Sequence, residues 1–194
     1  MDCTQRYRRR RQRCAPSRLV QAGYSIYDLL ITSAVASVLG LGAVGMNSLV
    51  QDARLTATVN QLMGDLRLAR SEAIKRHTII ALCKSNNGVS CSNDTAWNKG
   101  WIVFTDDNNN HEVDSGETVI RVQQMLEGDL SLRYGETGAY SYVRYNPSGE
   151  AWPGATFSFC DSRGADKAKG IIVYWTGRPR VSSVNSSNGP LTCS

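Results

Sequence analysis

The sequence Gly23-Tyr24-Ser25-Ile26-Tyr27-Asp28-Leu29-Leu30 joins a basic head to an uncharged run. The head, residues 1–23, carries seven arginines, and the positive-inside rule keeps such a segment in the cytoplasm. The run 29–50 is close to the ~20 residues that a helix needs to cross a bilayer core. This order predicts a leader, a processing point and a single membrane span.

The junction resembles the leader junction of type IV pilins and pseudopilins. In that family a prepilin peptidase cuts after the glycine, here Gly23, and the new terminal residue, here Tyr24, is methylated. An acidic residue at the fifth mature position, here Asp28, contacts the terminus of a neighbouring pilin during assembly. The family usually has Phe and Glu where this chain has Tyr24 and Asp28. The alternative is an uncleaved protein with one span.

Most of the positive charge lies in the leader. Residues 1–23 hold seven arginines and one aspartate, a charge of +6, whereas the whole chain carries +5, so residues 24–194 carry −1. The high isoelectric point therefore belongs to the leader. An argument for nucleic-acid binding must rest on local clusters of charge.

Beyond the apolar run the sequence predicts that the helix continues. Apolar residues recur at alternating steps of four and three residues, on one face of a helix: Leu55, Val59, Leu62, Leu66, Ala69 and Ala73. The charged residues are expected largely on other faces: Arg54, Asp65, Arg67, Arg70, Glu72 and Lys75. We expect one helix from about Tyr24 to Arg76, with residues 24–53 as its transmembrane and assembly half. Residues 54–194 then form one exported globular domain.

From Thr78 onward, short runs rich in Ile, Val, Thr and aromatic residues alternate with turn residues. The predicted strands are 78–84, 101–105, 118–125, 130–134, 142–145, 156–160 and 170–175. The predicted turns lie at 87–88, 108–110, 127–128, 147–149 and 175–177. The fold class is therefore α+β, a long helix packed on an antiparallel β-sheet or β-sandwich domain.

The six cysteines divide between the two parts of the chain. Two lie in the leader and stay reduced, whereas four face an oxidising space. Four cysteines allow three pairings. The spacing favours Cys83 with Cys91 across a Gly/Ser/Asn-rich turn, and Cys193 with Cys160 as a staple for the C-terminal tail. The alternative, a zinc site, lacks a C-x-x-C pair.

Six stretches of the mature chain together form a recognisable pattern: 66–76, Trp97, 100–104, 114–117, Thr156-Phe157 and 176–180. In this order, and along essentially the whole mature chain, they resemble the GspH/FimT group of minor pilins. The resemblance implies a pilin-like fold and a low-copy subunit of a type IV pilus or a type II secretion pseudopilus, with major and minor pilins as partners. It also implies a protein of the inner membrane with a periplasmic C-terminal domain, which then joins the filament and is exposed at its tip.

Gly177-Arg178-Pro179-Arg180 is similar to the Gly-Arg-x-Arg element of the FimT-like branch, which is linked to DNA uptake. Pro179 fixes its own φ and favours an extended Arg178, so we expect both guanidinium groups on a stiff, strained loop. Such groups bind phosphate oxygens in a bidentate manner. Residues 161–194 carry a local +3, from two aspartates and five cations: Arg163, Lys167, Lys169, Arg178 and Arg180. The alternative is a solvated charged rim.

A second cluster has the spacing of a calcium loop. Positions one, three, five, seven, nine and twelve are occupied by Asp106, Asn108, Asn110, Glu112, Asp114 and Glu117. Position six is His111, where the sharp turn prefers glycine, and strands rather than helices flank the loop. We therefore favour a hydrated hairpin loop and expect no metal or other cofactor.

Six aromatic residues are further candidates: Tyr134, Tyr140, Tyr142, Tyr145, Trp152 and Trp175. Stacking on single-stranded DNA is one interpretation. Period-two packing in strands is the favoured one.

No catalytic site is predicted, because His77 lies at the helix exit and His111 in the acidic loop, and neither belongs to a nucleophile motif. Two functions remain. One is a minor pilin that binds DNA through a C-terminal arginine loop for uptake in natural transformation, without sequence specificity. The other is a structural minor pseudopilin, or an initiator of pilus assembly, without DNA binding. The resemblance of the Gly-Arg-Pro-Arg element and its local charge favour the first.

Overall fold

The computed structural model describes residues 24–94 and 96–193, and the predicted leader, with its cleavage residue Gly23, lies outside them. The chain divides into two compact units, residues 1–44 and 45–194. Helix α1 spans Ile26–Arg76 and confirms the single long helix that the sequence predicts.

The described part of the first unit, residues 24–44, contains the start of α1. Ser25 and Asp28 form a capping box there: the Ser25 N–H donates to Asp28 Oδ2 at 3.1 Å, and Ser25 Oγ accepts the Tyr27 N–H at 3.4 Å. Among the described residues, none of the helical segments is apolar over a long enough stretch to cross a bilayer. The span predicted in residues 24–53 is therefore not confirmed.

In the second unit α1 buries the predicted apolar stripe. Each of its six residues is at most 2% exposed: Leu55, Val59, Leu62, Leu66, Ala69 and Ala73. The two alanines of the stripe, Ala69 and Ala73, lie at its C-terminal end. The period of the sequence therefore identifies the buried face of the helix correctly.

Asp65 contradicts the expectation that the charged residues of α1 lie on polar faces, since it is only 3% exposed. Its carboxylate accepts the Trp101 Nε1–H at 2.9 Å and lies 3.4 Å from Arg121 Nε. Burial raises the pKa of Asp65, because the loss of hydration outweighs the bonds to these partners. The partners explain how a carboxylate is accommodated beside the apolar stripe.

Two antiparallel sheets pack with α1 and confirm the α+β class. The strands are β1 (Ile80–Lys84), β2 (Trp101–Thr105), β3 (Val119–Gln123), β4 (Ser131–Tyr134), β5 (Tyr142–Tyr145), β6 (Ala151–Trp152), β7 (Ala155–Cys160), β8 (Lys169–Val173) and β9 (Pro179–Ser182). The first sheet has the order β3-β2-β1-β5-β6, and the second has the order β4-β7-β8-β9. Seven strands lie where the sequence predicts them, whereas β6 and β9 are not predicted.

Both sheets share one hydrophobic core with the helix stripe. Leu82, Val103 and Tyr145 enter it from the first sheet, and Phe157 and Ile171 enter it from the second. The opposite face of the first sheet carries a smaller cluster that is covered by the loop between β2 and β3. The β2–β3 loop is thus packed on the sheet, not extended into solvent.

Both predicted disulfides are present, Cys83–Cys91 and Cys160–Cys193. The second holds the C-terminal tail against the outer face of the second sheet. There the Ser186 N–H donates to Thr156 Oγ1 at 2.9 Å, and Leu191 is 3% exposed. The predicted role of Cys193 as a staple for the tail is confirmed.

Replacing Cys160 and Cys193 together by serine should lower the free energy of unfolding by about 3–4 kcal/mol, because this bridge closes a loop of 33 residues. The matched double variant of Cys83 and Cys91 opens a loop of only 8 and should lose about 2–3 kcal/mol. Denaturant unfolding of both variants checks this order. An equal or reversed order would contradict the assignment of the larger effect to the longer loop.

Candidate nucleic-acid interface

The C-terminal arginine element belongs to the hairpin of β8 and β9. In the register of this pair, Val173 lies opposite Pro179 and Ile172 lies opposite Arg180. Proline is tolerated here because β9 is the edge strand of its sheet, where a missing N–H breaks no ladder. The prediction of one loop for both arginines is therefore wrong: Arg180 lies in a strand, and only Arg178 lies in the connection.

Gly177 brings the hairpin into contact with a neighbouring turn. Its φ is 72°, and a Cβ at this position would lie 1.8 Å from the carbonyl oxygen of Gly149. The same oxygen accepts the Arg70 Nε–H from helix α1 at 2.9 Å. Helix α1 thus holds the turn on which the hairpin rests, and the first residue of the arginine element must be glycine.

Arg178 and Arg180 are both exposed at this end of the hairpin. Arg180 Nη2 donates to the Tyr174 hydroxyl at 3.4 Å, and its guanidinium carbon lies 5.5 Å from the centre of that ring. Within residues 24–94 and 96–193, neither arginine forms an ion pair, and the side chain of Arg178 forms no hydrogen bond. Tyr174 is not among the residues predicted from the sequence, although its spacing of two from Ile172 places it on the face of Arg180.

Arg163 differs from these two arginines because its charge is already paired. Its guanidinium group lies 2.6 Å from Asp161 Oδ2 and 2.8 Å from Asp52 Oδ1 of helix α1. Hydrogen bonds to these carboxylates raise the pKa of Arg163, and the bond from Arg163 lowers the pKa of Asp161. Arg163 therefore links the second sheet to the helix.

The two predicted lysines lie at the opposite end of β8 from the hairpin connection. Lys169 begins β8, and its Nζ donates to Thr56 Oγ1 of helix α1 at 2.7 Å. Lys167 is exposed in the short 3-10 helix that precedes β8. A strand advances ~3.3 Å per residue, so the length of β8 separates these lysines from Arg178. The five predicted cations do not form one cluster.

The predicted aromatic residues separate into two groups. Tyr134 and Tyr145 are fully buried, as period-two packing predicts. In contrast, Trp152 is 53% exposed and Trp175 is 67% exposed. The Ala151 N–H donates to the Trp175 carbonyl oxygen at 3.0 Å, which places the hairpin connection beside β6. The exposed tryptophans therefore flank the end of the sandwich that carries Arg178.

The acidic cluster lies elsewhere, in the loop between β2 and β3. Across the described part of the chain, no three His, Cys, Asp or Glu side chains lie close enough together to hold a metal ion. Several amide and carboxylate groups of this loop instead form hydrogen bonds with one another.

The family model of the type II transport protein GspH matches residues 58–177. The chain belongs to the GspH family. Its members are pilin-type structural subunits, so the chain is a minor pilin or pseudopilin and not an enzyme. The match includes Gly177 but ends before Arg178, so it does not cover the arginine pair.

Two solved structures of one minor pilin share the fold, and a third structure is similar at a lower score. The Pseudomonas aeruginosa type IV minor pilin FimU has a TM-score of 0.53 and 19% identity, and the similarity covers 72% of this chain and 95% of that one. A second crystal form of FimU has a TM-score of 0.51 over 72% and 100% of the two chains, also at 19% identity. The minor pseudopilin EpsH of Vibrio cholerae is 13% identical, with a TM-score of 0.48 over 66% and 96%. A comparison with curated protein sequences found no match.

Replacing Gly177 by alanine should lower the free energy of unfolding by about 1–3 kcal/mol, because it combines an unfavourable φ with a contact on the Gly149 carbonyl. Gly128→Ala is the matched control, since its φ is 79° and its Cβ would meet only the end of the Arg54 side chain, at 3.5 Å. Denaturant unfolding of both variants measures the difference. A loss no larger at Gly177 than at Gly128 would contradict the close approach.

Proposed function

We propose that this GspH-family protein is a minor pilin of a type IV pilus that binds DNA through Arg178 and Arg180 during uptake in natural transformation. The observation that carries the proposal is the pair of exposed guanidinium groups at one end of a hairpin, without a carboxylate partner among the described residues. Arg163 provides the contrast, because Asp161 and Asp52 already neutralise it.

The charge of the mature chain limits the kind of binding. Residues 24–194 carry −1, so attraction to DNA depends on the local hairpin charge and not on the whole molecule. Two or three phosphate contacts give weak, strongly salt-dependent binding without sequence specificity. Trp175, in the same connection as Arg178, offers a surface on which an unpaired base can stack.

The second candidate is a structural pseudopilin of a type II secretion system, or an initiator of pilus assembly, that does not bind DNA. The family description favours it, because it names a type II transport protein. In that function Arg178 and Arg180 are solvated surface charges, and their removal changes neither assembly nor stability.

In the proposed maturation and assembly of this subunit, the chain is first inserted into the inner membrane. Residues 24–53 anchor the chain, a prepilin peptidase removes the leader after Gly23, and the exported domain stays in the periplasm until it joins other pilins. Tyr24 is 89% exposed and therefore accessible for methylation. Asp28 then contacts the terminus of a neighbouring subunit.

The DNA proposal predicts that the chain from residue 24 onward binds short duplex DNA weakly, with a Kd of about 10⁻⁴–10⁻⁶ M that rises with salt. The basic head is omitted because its seven arginines would bind DNA themselves. The double variant Arg178→Gln plus Arg180→Gln should lose most of the binding and reduce the salt slope by about 2. Fluorescence anisotropy across a salt series measures both quantities.

The matched control removes the same charge from helix α1 through Arg67→Gln plus Lys75→Gln, both exposed residues. It should leave the affinity and the slope nearly unchanged. Equal losses in the two double variants would assign binding to net charge and remove the hairpin proposal. Absence of binding even at low salt would favour the structural pseudopilin.

Asp28 has a local function that must be separated from its proposed function in assembly. Asp28→Asn should lower the amount of this subunit in purified filaments, because it removes the charge that pairs with a neighbouring terminus. Ser25→Ala weakens the same capping box by about 0.5–2 kcal/mol without removing a charge, and it should not lower incorporation. Immunoblots of sheared filaments and of membranes measure the ratio. Equal losses would assign Asp28 to capping alone.

A further inference from the structure

The loop between β2 and β3 contains a buried carboxylate that is incompletely bonded. Asp106 is 0% exposed, and its Oδ1 accepts the Asn110 N–H at 3.0 Å, which turns the carboxylate toward the interior of the loop. Its Oδ2 is buried and has no hydrogen-bond partner among the described residues. Burial raises the pKa of Asp106. A buried carboxylate oxygen without a partner is costly, and a bound cation is one partner that would satisfy it.

The amide side chains of the loop converge on a second carboxylate. Asn108 Nδ2 lies 2.8 Å from Asp114 Oδ2, and Asn110 Nδ2 lies 2.6 Å from the same oxygen. The amide oxygens of both asparagines accept backbone N–H groups, from Asn110 at 3.1 Å and from Glu112 at 2.9 Å. Each amide oxygen keeps a second lone pair for a cation. Asn108, Asn110 and Asp114 are therefore held in contact inside the loop, with both amide nitrogens on the carboxylate.

The backbone adopts the sharp turn that the sequence places in doubt. His111 has a φ of 66°, which is the left-handed conformation that glycine supplies at the sixth position of calcium loops. The carboxylate of Glu117, at the twelfth position, accepts the N–H groups of Asp107 at 2.9 Å and of Asp114 at 3.0 Å. The absence of glycine therefore does not prevent the loop from closing.

Among the described residues, no lysine or arginine pairs with the negative charge of the loop, although His111 lies beside Asp106. The loop carries five carboxylates: Asp106, Asp107, Glu112, Asp114 and Glu117. Within the described ranges, none of them forms an ion pair with a lysine or arginine, and Arg144 donates to the neutral amide of Asn109 at 2.6 Å. A cation within the loop would relieve this repulsion.

We propose that residues 106–117 bind one calcium ion through Asp106 Oδ2, the carboxylate of Asp114 and the amide oxygens of Asn108 and Asn110. No three His, Cys, Asp or Glu side chains of the described residues suffice for a metal site, so the site depends on neutral amide oxygens. Oxygen ligands of this kind suit a hard cation and not zinc or copper. Calcium tolerates the irregular geometry of such a loop, whereas magnesium requires a near-ideal octahedron.

The test is a calcium titration of the EDTA-treated chain from residue 24 onward, by calorimetry and by thermal unfolding. We expect a Kd of about 10⁻⁴–10⁻³ M, the range of extracellular calcium modules, and a rise in Tm that magnesium does not reproduce. Asp106→Asn and, separately, the exposed Asp114→Asn should each weaken calcium binding by about ten-fold or more, because they remove a ligand charge. Glu127→Gln, an exposed residue outside the loop, should bind calcium like the unmodified chain.

Three results would overturn the proposal. The first is the absence of both heat and a Tm shift at about 10 mM calcium, well above the expected Kd. The second is an equal Tm shift with magnesium, which would indicate screening of surface charge. The third is unchanged calcium affinity in Asp114→Asn, whose exposed position makes misfolding of the variant an inadequate explanation.

Discussion

The second unit depends on one buried stripe of helix α1, because both sheets complete their cores against it. Residues of the helix, of β1, β2 and β5, and of β7 and β8 belong to a single cluster. At the C-terminal end of the stripe, Ala69 and Ala73 replace leucine, and both are 0% exposed. Small side chains allow a close approach of the packed backbone. Beside them, Arg70 donates its Nε–H to the carbonyl oxygen of Gly149 in the 146–149 turn. Gly177 packs against the same Gly149 carbonyl, so the contact with Arg70 also fixes the position of the β8–β9 hairpin.

Asp65 shows that this stripe also has a polar restraint. An apolar face fixes which side of a helix is buried but allows rotation and sliding, since hydrophobic contacts are non-directional. The hydrogen bond from Trp101 to Asp65 is directional, and a change of register would leave a buried carboxylate without its partner. The bond therefore favours one register of the first sheet on the helix, at a desolvation cost that the raised pKa of Asp65 records.

Local patterns predicted much of the fold, and the omissions arise from contacts distant in sequence. The period of the helix, the strand runs and the spacing of the cysteines are local signals, and the structure confirms them. Burial of Asp65 depends on Trp101, which is distant in sequence. Arg163 pairs with its near neighbour Asp161 and also with Asp52, and the second contact is equally distant in sequence. Likewise, β9 contains a proline that only an edge position tolerates. The sequence therefore identified the candidate cations but not which of them remain available to a ligand.

The two proposed binding sites are electrostatically separable. Residues 24–194 carry −1, and one calcium ion would change this to +1, which by itself favours contact with an anion. However, the loop covers the outer face of the first sheet, whereas the hairpin lies at the edge of the second. Between exposed charges, mobile ions weaken such an effect over a Debye length of ~8 Å at physiological ionic strength. The two guanidinium groups of the hairpin, which would touch the phosphate directly, therefore contribute more to its binding than a calcium ion in the loop.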